Sequence, residues 1–146
     1  MVDVVADIEI AASPATIAGV MFDPNRYPEW MKAVERVELH STALAPGARV
    51  TNHGAFMGQS ISWTTEVQTV HFPHILELKV VDGPFVGDVR YSIQRSAQGS
   101  RVQIHDRGEL TGMAKLAPAD MVTGAMRSAI EADLGRLKTL VEAPSA

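Results

Sequence analysis

Residues 118–142 read PADMVTGAMRSAIEADLGRLKTLVE, and this stretch decides the fold. Val122, Met126, Ile130, Leu134, Leu137 and Val141 recur three or four apart, which sets them on one stripe of an amphipathic helix. At the usual helical rise, about 25 positions span roughly 37 Å. One strand needs less cover than that, so the spacing predicts a helix lying across a broad curved sheet. The space between the two is where a site is expected.

Upstream of the helix the pattern is mostly of period two. In Val2 to Ile10, Val4, Ala6, Ile8 and Ile10 share one face while Asp3, Asp7 and Glu9 share the other, as in a half-buried strand. Ser13-Pro14 supplies an N-cap and a first-turn proline for a helix through Phe22. Asp23-Pro24-Asn25 breaks it, and Asn25 to Met31 reads as a second short helix interrupted by Pro28. Extended pattern resumes at Val34 to His40. Turn signals then fall at Pro46-Gly47, Gly58-Gln59, Pro73, Gly83-Pro84 and Gln98-Gly99. They bound further strands near Arg49–Phe56, Ser60–His71, His74–Asp82, Val86–Arg95 and Arg101–Leu110. Short sequential connections imply an antiparallel meander. The expected inward sets are Ile61, Trp63, Thr65 and Val67, then Leu76, Leu78 and Val80, then Val89, Tyr91 and Ile93, then Val102, Ile104 and Asp106. The fold class is therefore α+β, a seven-stranded antiparallel sheet with two short helices after its first strand and one long C-terminal helix.

Bulk properties narrow the function. The length of 146 residues without a composition break fits one domain, residues 1–142, with 143–146 as a disordered tail. Without cysteine there are no disulfides, thiol nucleophiles or thiolate metal sites. A net charge of -4 with 13 scattered Lys and Arg residues leaves no basic stripe for nucleic acid. The acidic start Met1-Val2-Asp3-Val4-Val5-Ala6-Asp7 does not resemble a signal peptide, and no apolar run is long enough to span a membrane. The expectation is a cytoplasmic protein with no cofactor, and the sequence leaves a homodimer open.

Three segments carry a resemblance. They are Ile10-Ala11-Ala12-Ser13-Pro14-Ala15-Thr16-Ile17 at the strand-to-helix entry, Asp23 followed by Tyr27-Pro28-Glu29-Trp30, and Asp133-Leu134-Gly135-Arg136-Leu137-Lys138 near the end. In this order the chain resembles the START-like superfamily that includes the polyketide cyclase/dehydrase proteins (SRPBCC) and shares a birch-pollen-allergen-like fold. The resemblance implies a helix-grip arrangement, with a seven-stranded sheet wrapping the C-terminal helix around a cavity. Family members include aromatase/cyclases, lipid carriers and ligand sensors, so the fold alone leaves the chemistry open.

Candidate site residues follow from parity and turn position. In a meander, alternate turns lie at one end, so Met57-Gly58, Gly83-Pro84-Phe85 and the exit at Gly112-Met113 cluster there, each pairing glycine with a large apolar residue. Met57, Phe85 and Met113 either rim the mouth of a pocket or cap the core. Trp63, Thr65, Leu78, Tyr91 and Asp106 share the inward parity, as ligand contacts or as plain core, and Met126 and Ile130 lie mid-stripe on the helix. Asp106 is the unusual one, because burying a lone carboxylate is costly and raises its pKa. It either serves a cavity, or a one-residue bulge turns it outward, or it pairs with an arginine. His53 shares a face with Arg49, Thr51 and Ala55 and is either a cavity residue or a surface one. Trp30 reads as the packing anchor of the short helices. His40, His53, His71, His74 and His105 lack ligand spacing, so no metal is expected.

Two functions fit these residues. One is a binding protein for a small hydrophobic or aromatic molecule (lipid, isoprenoid or polyketide-like). The other is a cofactor-free polyketide cyclase or dehydratase, with Asp106 as base and Tyr91 or His53 as proton partner.

Overall fold

The structure, a computed structural model, describes residues 1–143. The elements run β1 (Val2–Ile10), α1 (Pro14–Met21), a 3-10 turn at Pro24–Arg26, α2 (Tyr27–Trp30) and β2 (Val34–Leu39). They continue with β3 (Arg49–Phe56), β4 (Gln59–His71), β5 (Ile75–Asp82), β6 (Phe85–Ser96), β7 (Gly99–Leu110), a 3-10 turn at Gly112–Leu116 and α3 (Ala119–Glu142). All seven strands pair antiparallel in the order β1-β7-β6-β5-β4-β3-β2, so one crossover joins the meander to β1. This is the helix-grip arrangement the resemblance implies.

Local chemistry explains the junctions. The Ser13 hydroxyl accepts from the Thr16 N–H and caps α1, with Pro14 in the first turn. The Asp23 carboxylate accepts from the Asn25 N–H and opens the 3-10 turn. Pro28 does not interrupt a helix, contrary to the expectation from sequence. It lies in the first turn of α2, where its missing N–H costs nothing, and the break falls before Tyr27 instead. The 3-10 turn at Gly112–Leu116 is too short to show a period in the sequence. Of the expected tail, Ala143 closes α3, and 144–146 lie outside the described residues.

Packing fastens α3 at one end. Its backbone runs closest to β1, α2 and α1. The Lys138 ammonium donates to the Glu9 carbonyl at 2.9 Å and the Glu142 carboxylate accepts from the Ala11 N–H at 2.8 Å. The Arg136 guanidinium donates to the Trp30 carbonyl at 3.0 Å and pairs with Asp133, whose Oδ1 also accepts from the Lys32 N–H. Here the core is sealed: Ile10, Ile17, Met21, Phe22, Trp30, Leu76, Ile93, Leu134 and Leu137 are fully buried.

The other end is looser. Inward positions Trp63, Phe85, Val89 and Leu110 and the helix residue Met126 touch the core yet remain only half-buried. A glycine pair, Gly87 opposite Gly108, lies on the concave rows there, and the strands approach so closely that a Cβ on either would collide with the other strand's backbone. No helix among the described residues is long and apolar enough to cross a membrane.

Candidate functional site

Asp106 organises the interior. β7 pairs in unbroken register with both neighbours, placing Asp106 opposite Val4 of β1 and Val89 of β6. The bulges fall elsewhere, on the β2–β3 and β4–β5 pairings, so nothing turns Asp106 outward. Nor does an arginine meet it. Its Oδ1 is shut off and has no hydrogen-bond partner, while the residue as a whole keeps part of its surface open. The group thus lies deep in the fold without being fully closed off. Burial pushes its carboxyl up to about 7, with Asp133 adding to the rise and His105 opposing it. His105 itself points outward, its Nε2 2.7 Å from the Asp3 carboxylate.

Tyr91 stands on the next strand, opposite Ile104, and is therefore the diagonal neighbour of Asp106 at about 7–8 Å. Its phenol is pushed well above the ordinary tyrosine range by burial, with Tyr27, Asp106 and Asp133 adding. The ring packs 6.0 Å from Trp30 and 6.5 Å from Phe22. Trp30 is indeed a packing residue, but its buried Nε1–H has no acceptor.

Asn52 is a buried polar residue of the concave face that the sequence does not single out. It is buried on the inner face of β3, opposite Trp63, whose carbonyl accepts from its Nδ2 at 3.4 Å. Its Oδ1 has no partner. The signal available for it is the shared parity of Val50, Asn52 and Phe56. Among the described residues, Trp30 Nε1, Asn52 Oδ1 and Asp106 Oδ1 are the buried side-chain polar atoms left unpaired. Each such atom costs about 1–3 kcal/mol unless a partner meets it.

The same parity removes His53. With Val50 and Asn52 inward, His53 projects from the convex face, where its Nδ1 lies 2.8 Å from the Ser62 hydroxyl and its Nε2 3.4 Å from Glu38. It is a surface histidine and no proton partner for Asp106.

The other candidates separate into inward and exposed positions. Thr65, Leu78 and Ile130 are buried on inward positions, and Trp63, Phe85 and Met126 are half-buried there. Phe85 belongs to β6 rather than to the turn before it. Met57 and Met113 are 49% and 81% exposed, and Leu116, in the same 3-10 turn as Met113, is 76% exposed. The Thr111 N–H donates to the Pro84 carbonyl at 2.9 Å and its hydroxyl to the Gly83 carbonyl, which joins the exit of β7 to the β5–β6 turn.

A cleft of about 270 Å³ lies between α1 and the β2–β3 connection, with Phe22, Leu44, Val50 and Phe72 among its walls. None of the unpaired polar atoms belongs to its lining, so the chemistry points inward rather than to this cleft. Among the described residues, no three His, Asp or Glu side chains converge as metal ligands would.

Sequence and fold comparisons agree with this geometry. The family described as polyketide cyclase / dehydrase and lipid transport matches residues 1–142. The chain belongs to that family. No curated protein matches it. A solved structure from Thermus thermophilus is similar at 22% identity and a TM-score of 0.83, covering 99% of each chain. A START superfamily protein from Mycobacterium smegmatis reaches 21% identity and 0.82, over 96% of this chain and 97% of that one. The Zhui aromatase/cyclase from a Streptomyces species is 16% identical with a TM-score of 0.75, over 96% and 93%. At such identities the likeness is one of fold.

Proposed function

We propose that this family member binds a small hydrophobic or aromatic molecule, of lipid, isoprenoid or polyketide-like type, between α3 and the concave face of the sheet. The observation that carries the reading is the set of inward side chains at the turn end, deep but not closed, around buried polar atoms with no protein partner. Apolar walls with a few convergent polar groups are the usual make-up of a small-molecule site. Trp63, Thr65, Leu78, Phe85, Val89, Tyr91, Asp106, Met126 and Ile130 would line it, and Met57 and Met113 would edge the entrance as greasy, mobile contacts for an entering ligand. Native mass spectrometry of freshly purified protein, with displacement of a neutral fluorescent apolar probe, tests this. A bound mass or saturable displacement is expected. Neither, across a range of apolar compounds, would end the proposal.

A second reading is favoured by one observation, the carboxyl of Asp106 held near neutrality beside Tyr91. A general base works best when its pKa lies close to the working pH. In a cofactor-free cyclase or dehydratase, Asp106 would take a proton from an activated carbon of a poly-β-keto chain, with Tyr91 orienting the carbonyl. Turnover of such a chain that survives intact in Asp106→Asn would dismiss this role.

A further inference from the structure

The interior has a polarity that narrows what it accepts. Of the 13 Lys and Arg residues, ten (Lys32, Arg36, Arg49, Lys79, Arg90, Arg95, Arg101, Arg107, Lys115 and Arg127) are exposed. The remaining three are engaged away from the concave face at the turn end. Arg26 pairs with Glu29, Arg136 with Asp133 and the Trp30 carbonyl, and Lys138 with Glu142 and the Glu9 carbonyl. The histidines give no substitute. His40 and His53 are on the convex face beside Glu38, His105 is held by Asp3, His74 Nδ1 meets the Ile93 carbonyl, and His71 is exposed. The acids are placed the other way. Asp106 faces the interior with its Oδ1 unpaired, and the half-buried Asp133 on the helix side is paired with Arg136.

An anion entering this space would lose its hydration and meet no cation. That is the costly arrangement for a buried charge. An uncharged hydroxyl would instead donate to the Asn52 or Asp106 oxygen, and in doing so would satisfy an atom now unpaired.

We infer that the interior selects uncharged, hydroxyl-bearing aromatic or isoprenoid molecules and rejects carboxylates of the same skeleton, with Asp106 and Asn52 as the specificity-determining residues. This rests on the binding reading above and narrows its ligand class.

The test uses N-phenyl-1-naphthylamine, an uncharged probe, displaced in parallel by naphthalene, 2-naphthol and 2-naphthoate near pH 6, where only the last is ionised; farnesol and farnesoate form a second pair. The alcohols are expected to displace the probe at concentrations at least about tenfold below their carboxylates, and 2-naphthol below naphthalene by a few-fold. In Asp106→Leu and Asn52→Leu, circular dichroism should report the native fold, and each competitor is compared with the probe affinity that the variant itself shows. The 2-naphthol advantage over naphthalene should shrink toward parity in at least one of them, while Asp106→Asn, still a hydrogen-bonding side chain, should keep it. Carboxylates that match or exceed the alcohols, with the probe bound normally, would overturn this inference and leave the binding reading standing. An alcohol advantage undiminished in both leucine variants would overturn the assignment to Asp106 and Asn52. Failure of the probe and every competitor to bind would instead bring down the binding reading itself.

Discussion

Toward the α1–α2 end of the concave face, Phe22, Trp30, Leu76, Ile93, Leu134 and Leu137 are closed to solvent, whereas toward the turn end Trp63, Phe85, Val89, Leu110 and Met126 look into the same interior and stay half open. A single helical stripe serves both. What differs is the backing. The short helices and the Lys138, Glu142 and Arg136 hydrogen bonds press the C-terminal half of α3 down, while Met126 of the N-terminal half stays only partly buried. Stability and binding are thus assigned to different stretches of one helix, and a mutation's effect should depend on which stretch it falls in.

The largest expected effect breaks the sealed half. Leu134→Ala removes a side chain that is 1% exposed and leaves a cavity between α3, β1 and the short helices, at a cost of about 3–4 kcal/mol. Met126→Ala, eight residues earlier on the stripe, should cost about 1 kcal/mol because the side chain is only partly buried, and should alter probe affinity instead. Urea midpoints with unchanged slope would measure both. Equal losses at the two positions would erase the distinction between the halves.

A second effect of similar size belongs to the open half and depends on pH. The folded Asp106 carboxyl titrates at about 7 against 3.8 for its ordinary value, so folding retains a proton that the unfolded chain has released. Its contribution is fully present below the unfolded pKa and is lost as pH rises through the folded one. Native stability should therefore fall by at most about 4 kcal/mol between roughly pH 4 and 8, and by less where cavity water reaches the carboxyl. Asp106→Asn should lack this fall and be the more stable protein above neutrality. A pH profile identical in the two proteins would mean that the carboxyl is not desolvated and that the open half is wetter than its side chains suggest.

The smallest effect lies where the two halves share a junction. Ser13→Ala leaves the first turn of α1 uncapped and should cost about 1 kcal/mol in the thermal or urea midpoint without changing probe affinity. A change in affinity there would show that α1 reports on the interior as well as closing it.

Much of this architecture is legible in the sequence. Alternation and the three-and-four stripe carry enough hydrophobic contrast to place seven strands and one long helix, and parity alone puts Trp63, Tyr91 and Asp106 inward. β3 is harder. Arg49-Val50-Thr51-Asn52-His53-Gly54-Ala55-Phe56 has only two large apolar residues, so the facing of His53 stays ambiguous and the inward Asn52 does not stand out. Gly54 explains the dilution: a Cβ there would collide with the Ala33 carbonyl, so that stretch of the face is shaped by backbone approach rather than by side chains. The Gly87–Gly108 pair depends on cross-strand register, and the unpaired state of Trp30 Nε1 on three-dimensional neighbours, neither of which a linear pattern encodes.

Only two tryptophans occur in the chain, and they fall one to each region: Trp30 in the sealed part, against Tyr91, and Trp63 on the half-open wall. The molecule thereby carries two internal dyes with separate duties. Emission from Trp63 should quench or shift when the chamber fills, and that from Trp30 should hold steady until the chain unravels. Occupancy and integrity can then be followed at once, in the same cuvette, without attaching any label.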